Sequence, residues 1–256
     1  MLRENFYKKE VTKFIKNRNQ KILVIAGDTL DSNVFKNLGF KNVTISNLDE
    51  RITAEKYLPY NWSFQNAESL SFKDEEFDYV VVHAALHHCY SPHKALTEMY
   101  RVAKYGVLAI ESRDSFLMKL AVRFHMTYQY ELPAVYFNEL KYGGVANTEI
   151  PNYIFRWTER EIEKTINCYA PYSYTKYFYS YEYGNPPIPS SAFNKQFISK
   201  IIGYIFKVIF PKQLNLFAFY IKKPDLSLKT FPWLIYKNKK IQLNKKWLLK
   251  NWNVQY

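Results

Sequence analysis

The chain predicts an α/β fold, a parallel sheet with helices on both faces. Two observations carry this. From residue 21 to residue 111, short apolar runs rich in β-branched residues alternate with segments of helical spacing, and strand–helix alternation builds parallel sheets. The runs KILVIA at 21–26, FDYVVV at 77–82 and VLAIE at 107–111 are nearly continuous, as strands buried on both faces read.

The elements follow in order. Residues 2–17 place Phe6, Tyr7, Val11, Phe14 and Ile15 at helical spacing, so a helix is expected to lie on the sheet edge as a lid with no chemistry of its own. After the strand at 21–26, Gly27 and Asp28 supply a tight bend. Asp31 or Ser32 caps a short helix over about 33–38, and Gly39 ends it in the left-handed conformation. Residues 43–46 form a second strand and 62–65 a short third. Pro92 opens a helix over about 93–101, with Ala95, Leu96, Met99, Tyr100 and Val102 on its apolar face, and Gly106 separates it from the strand at 107–111.

Composition bounds the partners. With 256 residues and 48% hydrophobic content the chain can bury a large core, and 23 Tyr and 19 Phe furnish much of it. A formal net charge of +13 favours anionic partners, although no block of five like charges occurs and the lysines equally serve to solvate the surface. The two cysteines, Cys89 and Cys168, lie far apart without a CxxC, which argues against a disulfide scaffold or zinc site, and no metal is expected. No apolar run reaches the roughly 18 residues of a membrane span, and the N-terminus lacks an apolar signal core, so a cytoplasmic location is expected, with membrane association as an option.

One stretch carries a resemblance. FDYVVVHAALHHCYSPHKALTEMYRVAKYGVLAIE, with Leu86, His87, His88, Glu98, Met99, Arg101, Val102 and Gly106 in order, is similar to the second half of the nucleotide-binding unit in class I S-adenosylmethionine-dependent methyltransferases. The resemblance covers about residues 20–112 and is closest to type 11 methyltransferases. It implies a Rossmann-like, mostly parallel seven-stranded sheet, S-adenosyl-L-methionine as cofactor, and a methyl-transfer reaction. Carried onto this sequence, it puts the cofactor against Ala26, Gly27, Asp28 and Thr29 in the first loop, Asn47, Leu48 and Asp49 after the second strand, Asn66, Ala67 and Glu68 near the adenine, and His83 and Ala84 after the central strand. His83 is expected to approach the methionine portion through its backbone. The chain departs from the family where glycines and an acid are usual: only Gly27 remains in the first loop, Leu30 stands at a glycine position, Asn47 replaces the ribose-binding acid, and Asn66 replaces an Asp.

Methyl transfer from a sulfonium is an in-line displacement, so alignment supplies most of the acceleration, and a hydroxyl acceptor also benefits from a base. His87 and His88 follow the central strand at its C-terminal edge, where at most one should face the acceptor; His87 is slightly preferred as base, against a bracing role for both. Glu111 either orients the acceptor hydroxyl or holds Arg113.

Residues 1–225 are expected to form the methyltransferase domain, with an acceptor-side insertion and lid at 113–187, an amphipathic helix at 192–210, and a C-terminal extension at 226–256. In the insertion, Gly143 and Gly144 suggest a hinge, Thr158 and Glu161 a capping box, and Arg113, Tyr142, Asn147, Asn152 and Arg156 are candidates for reading a polyhydroxylated or phosphorylated acceptor. Residues 172–183 and 214–221 form an antiparallel pair that closes the sheet. The 192–210 helix packs on the sheet or a second subunit, or lies on an anionic membrane. The tail, with three tryptophans and seven lysines, forms a hairpin or partner-binding arm, and also suits single-stranded nucleic acid. The expected function is O-methylation of a small polar acceptor, such as a sugar, sugar nucleotide or glycan end, as in bacterial surface-glycan methyltransferases. RNA methylation and a catalytically silent binding protein are the alternatives.

Overall fold

The computed structural model describes residues 2–184, 205, 207–225, 230–238 and 240–252. A seven-stranded sheet runs in the order β3-β2-β1-β4-β5-β7-β6. Its strands are β1 (Lys21–Ile25), β2 (Asn42–Asn47), β3 (Asn61–Phe64), β4 (Phe77–His83), β5 (Ala103–Ser112), β6 (Lys176–Glu182) and β7 (Leu216–Lys222). The first five pair in parallel, whereas β7 runs antiparallel to both β5 and β6. This is the Rossmann-like class I methyltransferase arrangement that the sequence led us to expect, including the closing pair.

Two cores sandwich the sheet. On one face α1 (Leu2–Phe14) and α2 (Thr29–Asn37) bury Phe6, Tyr7, Val11, Val34 and Phe35 against Ile22, Val24, Val81 and Leu108. On the other, α3 (Pro92–Val102) and α6 (Glu159–Tyr169) bury Leu96, Met99, Ile162 and Ile166 against Leu23, Ile25, Val80, Val82 and Phe219. Alternate residues of β1 thus enter opposite cores, which is why the strand is apolar throughout. The insertion contributes α4 (Phe116–Arg123) and α5 (Leu132–Tyr136).

The motif residues Glu98 and Arg101 clamp the chain entering β4. Arg101 forks onto both Glu98 oxygens at 2.8 Å and donates to the Leu70 and Phe72 carbonyls at 2.9 and 2.8 Å, while Glu98 accepts from the Leu70 amide at 2.9 Å. A planar guanidinium can hold several acceptors in one plane in this way.

Several local expectations are corrected. The helix α2 begins four residues earlier than expected because Asp28, not Asp31 or Ser32, is its N-cap: Asp28 accepts from the Leu30 and Asp31 amides, and Asp31 accepts from the Asp28 amide in return. Gly39 does end it, at φ 75°. Thr158 caps α6 through the Glu161 amide, but the Glu161 carboxylate pairs with His93 at 3.1 Å and the reciprocal half of the box is not made. The expected hinge at Gly143 and Gly144 is a packed corner: Gly144 donates to Thr148 and leaves no room for a Cβ against the Ile150 carbonyl.

In the C-terminal extension, β8 (Leu234–Lys237) and β9 (Lys240–Leu243) form the expected hairpin, followed by α7 (Lys245–Asn251). Phe231 packs on Tyr174 with ring centroids 4.0 Å apart. The amphipathic helix expected at 192–210 lies largely outside the described residues, and its proposed membrane contact with it. Among the described residues, no helix is long and apolar enough to cross a membrane.

Candidate active site

Strand order reverses between β1 and β4, and ligands of open α/β sheets bind outside the carboxyl ends of the strands at such a point. A cavity of about 610 Å³ opens there, within the range of cofactor sites. Ala26, Asp28, Asn47, Leu48, Asp49, Asn66, Ala67, Glu68, His83 and Ala84 line it, so most of the residues expected to hold the cofactor converge on one hollow. Leu30 forms part of the wall and does not fill the space. Ala26 and Ala84, at the ends of β1 and β4, have φ of 48° and 52°, a left-handed conformation that costs energy without glycine and gathers at ligand sites.

Gly27 and Thr29 are not on the cavity wall. Gly27 is buried, and a Cβ there would sit 2.9 Å from both Ile45 Cγ2 and Val24 Cγ1. Its carbonyl accepts from Asn47 Nδ2 at 3.0 Å and from the Tyr57 hydroxyl at 3.2 Å. The glycine retained from the family's loop therefore serves the approach of helix to sheet, and Thr29 is an exposed first-turn residue of α2.

The polar groups divide between bracing and binding. Asn47 spends its amide on Gly27 and on the Asp49 amide, leaving Asp49 as the carboxylate at the end of β2. Arg51 holds Asp49 at 2.8 and 2.6 Å, which lowers the Asp49 pKa, and stacks on Tyr142 at 4.0 Å. Tyr142 thus covers this arginine and is not on the cavity wall. Glu68 accepts from the Ser91 amide and ties the adenine-side loop to the start of α3. His83 stacks on Tyr7 with centroids 4.7 Å apart, so α1 touches the site after all. Burial, then Arg3, lowers the His83 pKa to about 4, and its Nε2 has no hydrogen-bond partner among the described residues. His83 lines the cavity, with its ring packed on Tyr7. Asp31 lines the cavity as well, and burial together with Asp28 raises its pKa to about 8.

A second cavity of about 330 Å³ adjoins the first, and Arg3 and Ala84 line both. His87, Ser112, Thr127, Glu131, Ile154 and Arg156 face this second space. His87 is the centre of a carboxylate–imidazole–carboxylate row: Nδ1 lies 2.9 Å from Glu111 Oε2 and Nε2 lies 3.1 Å from Glu131 Oε2. Burial opposes charge on His87, but the two carboxylates outweigh it and raise its pKa to about 9. The expectation of a free histidine base is therefore corrected: both ring nitrogens are occupied, and the ring is a cation in this arrangement. Glu111 is fully buried and accepts from the Ala85 and Leu86 amides at 2.8 Å each. It orients neither an acceptor nor Arg113. Arg113 pairs with Glu159 at 2.6 Å, faces the Tyr181 and Phe217 rings, and lies off both cavity walls.

Asn152 also lies off both walls, with Nδ2 3.4 Å from Glu131 Oε2. Asn147 lines the cofactor cavity instead of the acceptor side, where its Oδ1 accepts from the Gly143 amide. Arg156 is the expected acceptor residue that does reach the second cavity. Among the described residues its guanidinium donates to the Ile154 and Tyr128 carbonyls, and its buried Nε has no partner. Sequence reasoning missed Glu131, Arg3 and Cys89. Glu131 has no local signature, being brought to His87 across 44 residues by the insertion.

Residues 26–110 match the type 11 methyltransferase domain family, described as a methyltransferase domain. Among solved structures, the chain is similar to the YcgJ protein of Bacillus subtilis, at 14% identity over 87% of this chain and 98% of that one with a TM-score of 0.54. It is also similar to the PH0226 protein of Pyrococcus horikoshii, at 16% identity over 87% and 90% with a TM-score of 0.52. Both likenesses concern the fold. A curated relative, an uncharacterised protein of Methanocaldococcus jannaschii named MJ1123, is 43% identical over 56 residues, a match that spans 21% of this chain and 27% of the relative. The fold is that of class I methyltransferases, and residues 26–110 match a methyltransferase domain family; S-adenosylmethionine is the cofactor of that class. The residues present fit that cofactor: the cavity stands open, the alanine corners of β1 and β4 bring backbone close to it, and His83 Nε2 waits for a polar partner.

Proposed function

We propose that this protein transfers the methyl group of S-adenosylmethionine to a hydroxyl of a small polar acceptor that carries an anionic group, such as a sugar nucleotide or a phosphorylated glycan end. The observation that carries this reading is the junction of the two cavities at Arg3 and Ala84, one walled by the cofactor residues and the other by Arg156, Glu131 and hydroxyl side chains. A methyl donor in the first space and an acceptor in the second meet at that junction, and holding the two collinear is the larger part of catalysis.

Arg3 and Arg156 have no carboxylate partner among the described residues, which leaves them free to meet a phosphate or carboxylate. Glu131 is the one acidic side chain on the acceptor-side wall among the described residues and would accept the hydrogen bond of the reacting hydroxyl, aiming its lone pair at the methyl. Oxygen then forms the bond to carbon, the sulfonium–carbon bond breaks, its electron pair returns to sulfur, and the hydroxyl proton leaves to water. The test is transfer of labelled methyl from S-adenosylmethionine to a panel of sugars, sugar phosphates, sugar nucleotides and RNA. Transfer to phosphorylated sugars over their neutral counterparts supports the reading. Transfer to RNA alone, or no heat and no thermal stabilisation with S-adenosylmethionine, overturns it.

A further inference from the structure

His87, His88 and Glu131 meet at one point between the two cavities. Glu131 Oε2 lies 3.1 Å from His87 Nε2 and 3.3 Å from His88 Nε2, and the three ligand atoms all lie within 4.8 Å of one another. Two imidazole nitrogens and a carboxylate oxygen at roughly 2.0–2.2 Å from a common metal stand roughly 3.0–3.5 Å apart. The two spacings about Glu131 are therefore already those of ligand edges. We propose that these three side chains bind a divalent first-row transition metal, which would displace the Nε2 proton of the His87 cation on binding.

Three further features point the same way. The outer nitrogen of His87 rests on the buried Glu111 carboxylate at 2.9 Å, the support that fixes ring orientation in metal-binding histidines. The outer nitrogen of His88 faces the Gly144 carbonyl at 3.4 Å. Asn152, only 2% exposed, brings its Nδ2 to within 3.4 Å of Glu131 Oε2, and its Oδ1 has no partner among the described residues. Access is also present, because His88 lines the cofactor cavity while His87 and Glu131 line the acceptor cavity. Imidazole and carboxylate together suit zinc or iron(II) better than magnesium or calcium, which prefer oxygen alone.

Resting on the function proposed above, a metal held by His87, His88 and Glu131 would lower the pKa of an acceptor hydroxyl brought beside it.

Zinc binding is measured by calorimetry on the chelator-stripped full chain without cofactor, and cobalt(II) binding by visible absorption. One equivalent should bind, with cobalt bands of a site of mixed nitrogen and oxygen ligands. His88→Ala and Glu131→Gln should each weaken zinc at least ten-fold and Glu111→Gln by about 10–100-fold. His93→Ala, at the separate His93–Glu161 pair, should leave binding unchanged. If His88→Ala does not fold, as judged by its unfolding curve, His88→Gln keeps the volume without the imidazole and must show the same loss. No uptake by the wild type at millimolar metal, or equal uptake by wild type and the His88 variants, overturns the proposal. The readout is independent of catalysis: metal uptake without S-adenosylmethionine binding refutes the function and leaves the site, whereas methyl transfer by a protein that takes up no metal refutes the site and leaves the function.

Discussion

Replacing Gly27 with alanine separates two roles that the first loop can play. If the glycine exists to let the cofactor approach, a methyl group there should cost affinity; if it exists to let α2 approach the sheet, it should cost stability. A Cβ at Gly27 would stand 2.9 Å from Ile45 Cγ2 and from Val24 Cγ1, methyl groups on two buried β-branched side chains with little rotamer freedom. Overpacking of this kind costs about 1–3 kcal/mol. No left-handed backbone term adds to it, because Gly27 does not occupy that region. For a chain of this size, about 2–4 °C of Tm is lost per kcal/mol, so Gly27→Ala should melt roughly 2–12 °C lower. The assay is urea unfolding together with calorimetry against S-adenosylmethionine at a temperature where both proteins are folded. Affinity should stay within about three-fold, less than 1 kcal/mol. Wild-type stability with affinity lost ten-fold or more would refute the packing role and return Gly27 to the cofactor.

Other perturbations follow from the same geometry. Asp31 titrates near 3.8 when unfolded but near 8 in the fold, so between those values the folded state holds a proton that the unfolded state has lost, and stability falls as pH rises. Asp31→Asn, which keeps an acceptor for the Asp28 amide, should therefore gain on the wild type by on the order of 4 kcal/mol at pH 7 and by little at pH 4, and a pH-independent difference in urea unfolding would contradict this. His83→Leu should weaken S-adenosylmethionine about ten-fold in calorimetry with an unchanged melting curve, since one hydrogen bond to a buried nitrogen is worth about 1–1.5 kcal/mol; unaltered affinity would remove His83 from the site. Arg101→Met should destabilise by about 2–3 kcal/mol in denaturant unfolding, because it leaves Glu98 and two carbonyls without their charged donor, and wild-type stability would show that the clamp is idle. Arg156→Met should raise KM for a phosphorylated acceptor about ten-fold or more while cofactor affinity holds, and an unchanged KM would place the anion elsewhere.

How much of this was legible in the sequence depended on the range of the interaction. Strands such as 21–26 and 77–82 announce themselves because burial on both faces leaves no polar alternation to misread, and the parallel order follows from the helices between them. The start of α2 was misjudged because GDTLDS offers several capping residues, and only the fold decides that Asp28 caps while Asp31 answers it. Candidate residues within strand-end loops, Ala26, Asp49 or Ala84, line one cavity because the sheet alone puts them at one edge. Those in the insertion were largely misplaced: Arg113 was claimed by Glu159 and Tyr142 by Arg51, partners that no spacing reveals. Glu131 was missed for the same reason, and it is the residue that turns His87 from a candidate base into part of a charged row.

The insertion roofs both hollows with a single ribbon of chain. Gly143 to Asn147 overhang the cofactor side, while Glu131, Ile154 and Arg156 furnish the acceptor side. Backbone hydrogen bonds between Glu131 and Asn152 and between Ile154 and Gln129 stitch its two arms together. On the function proposed above, a change in this ribbon that alters the acceptor pocket also reshapes the wall of the first cavity, so the two affinities would shift together.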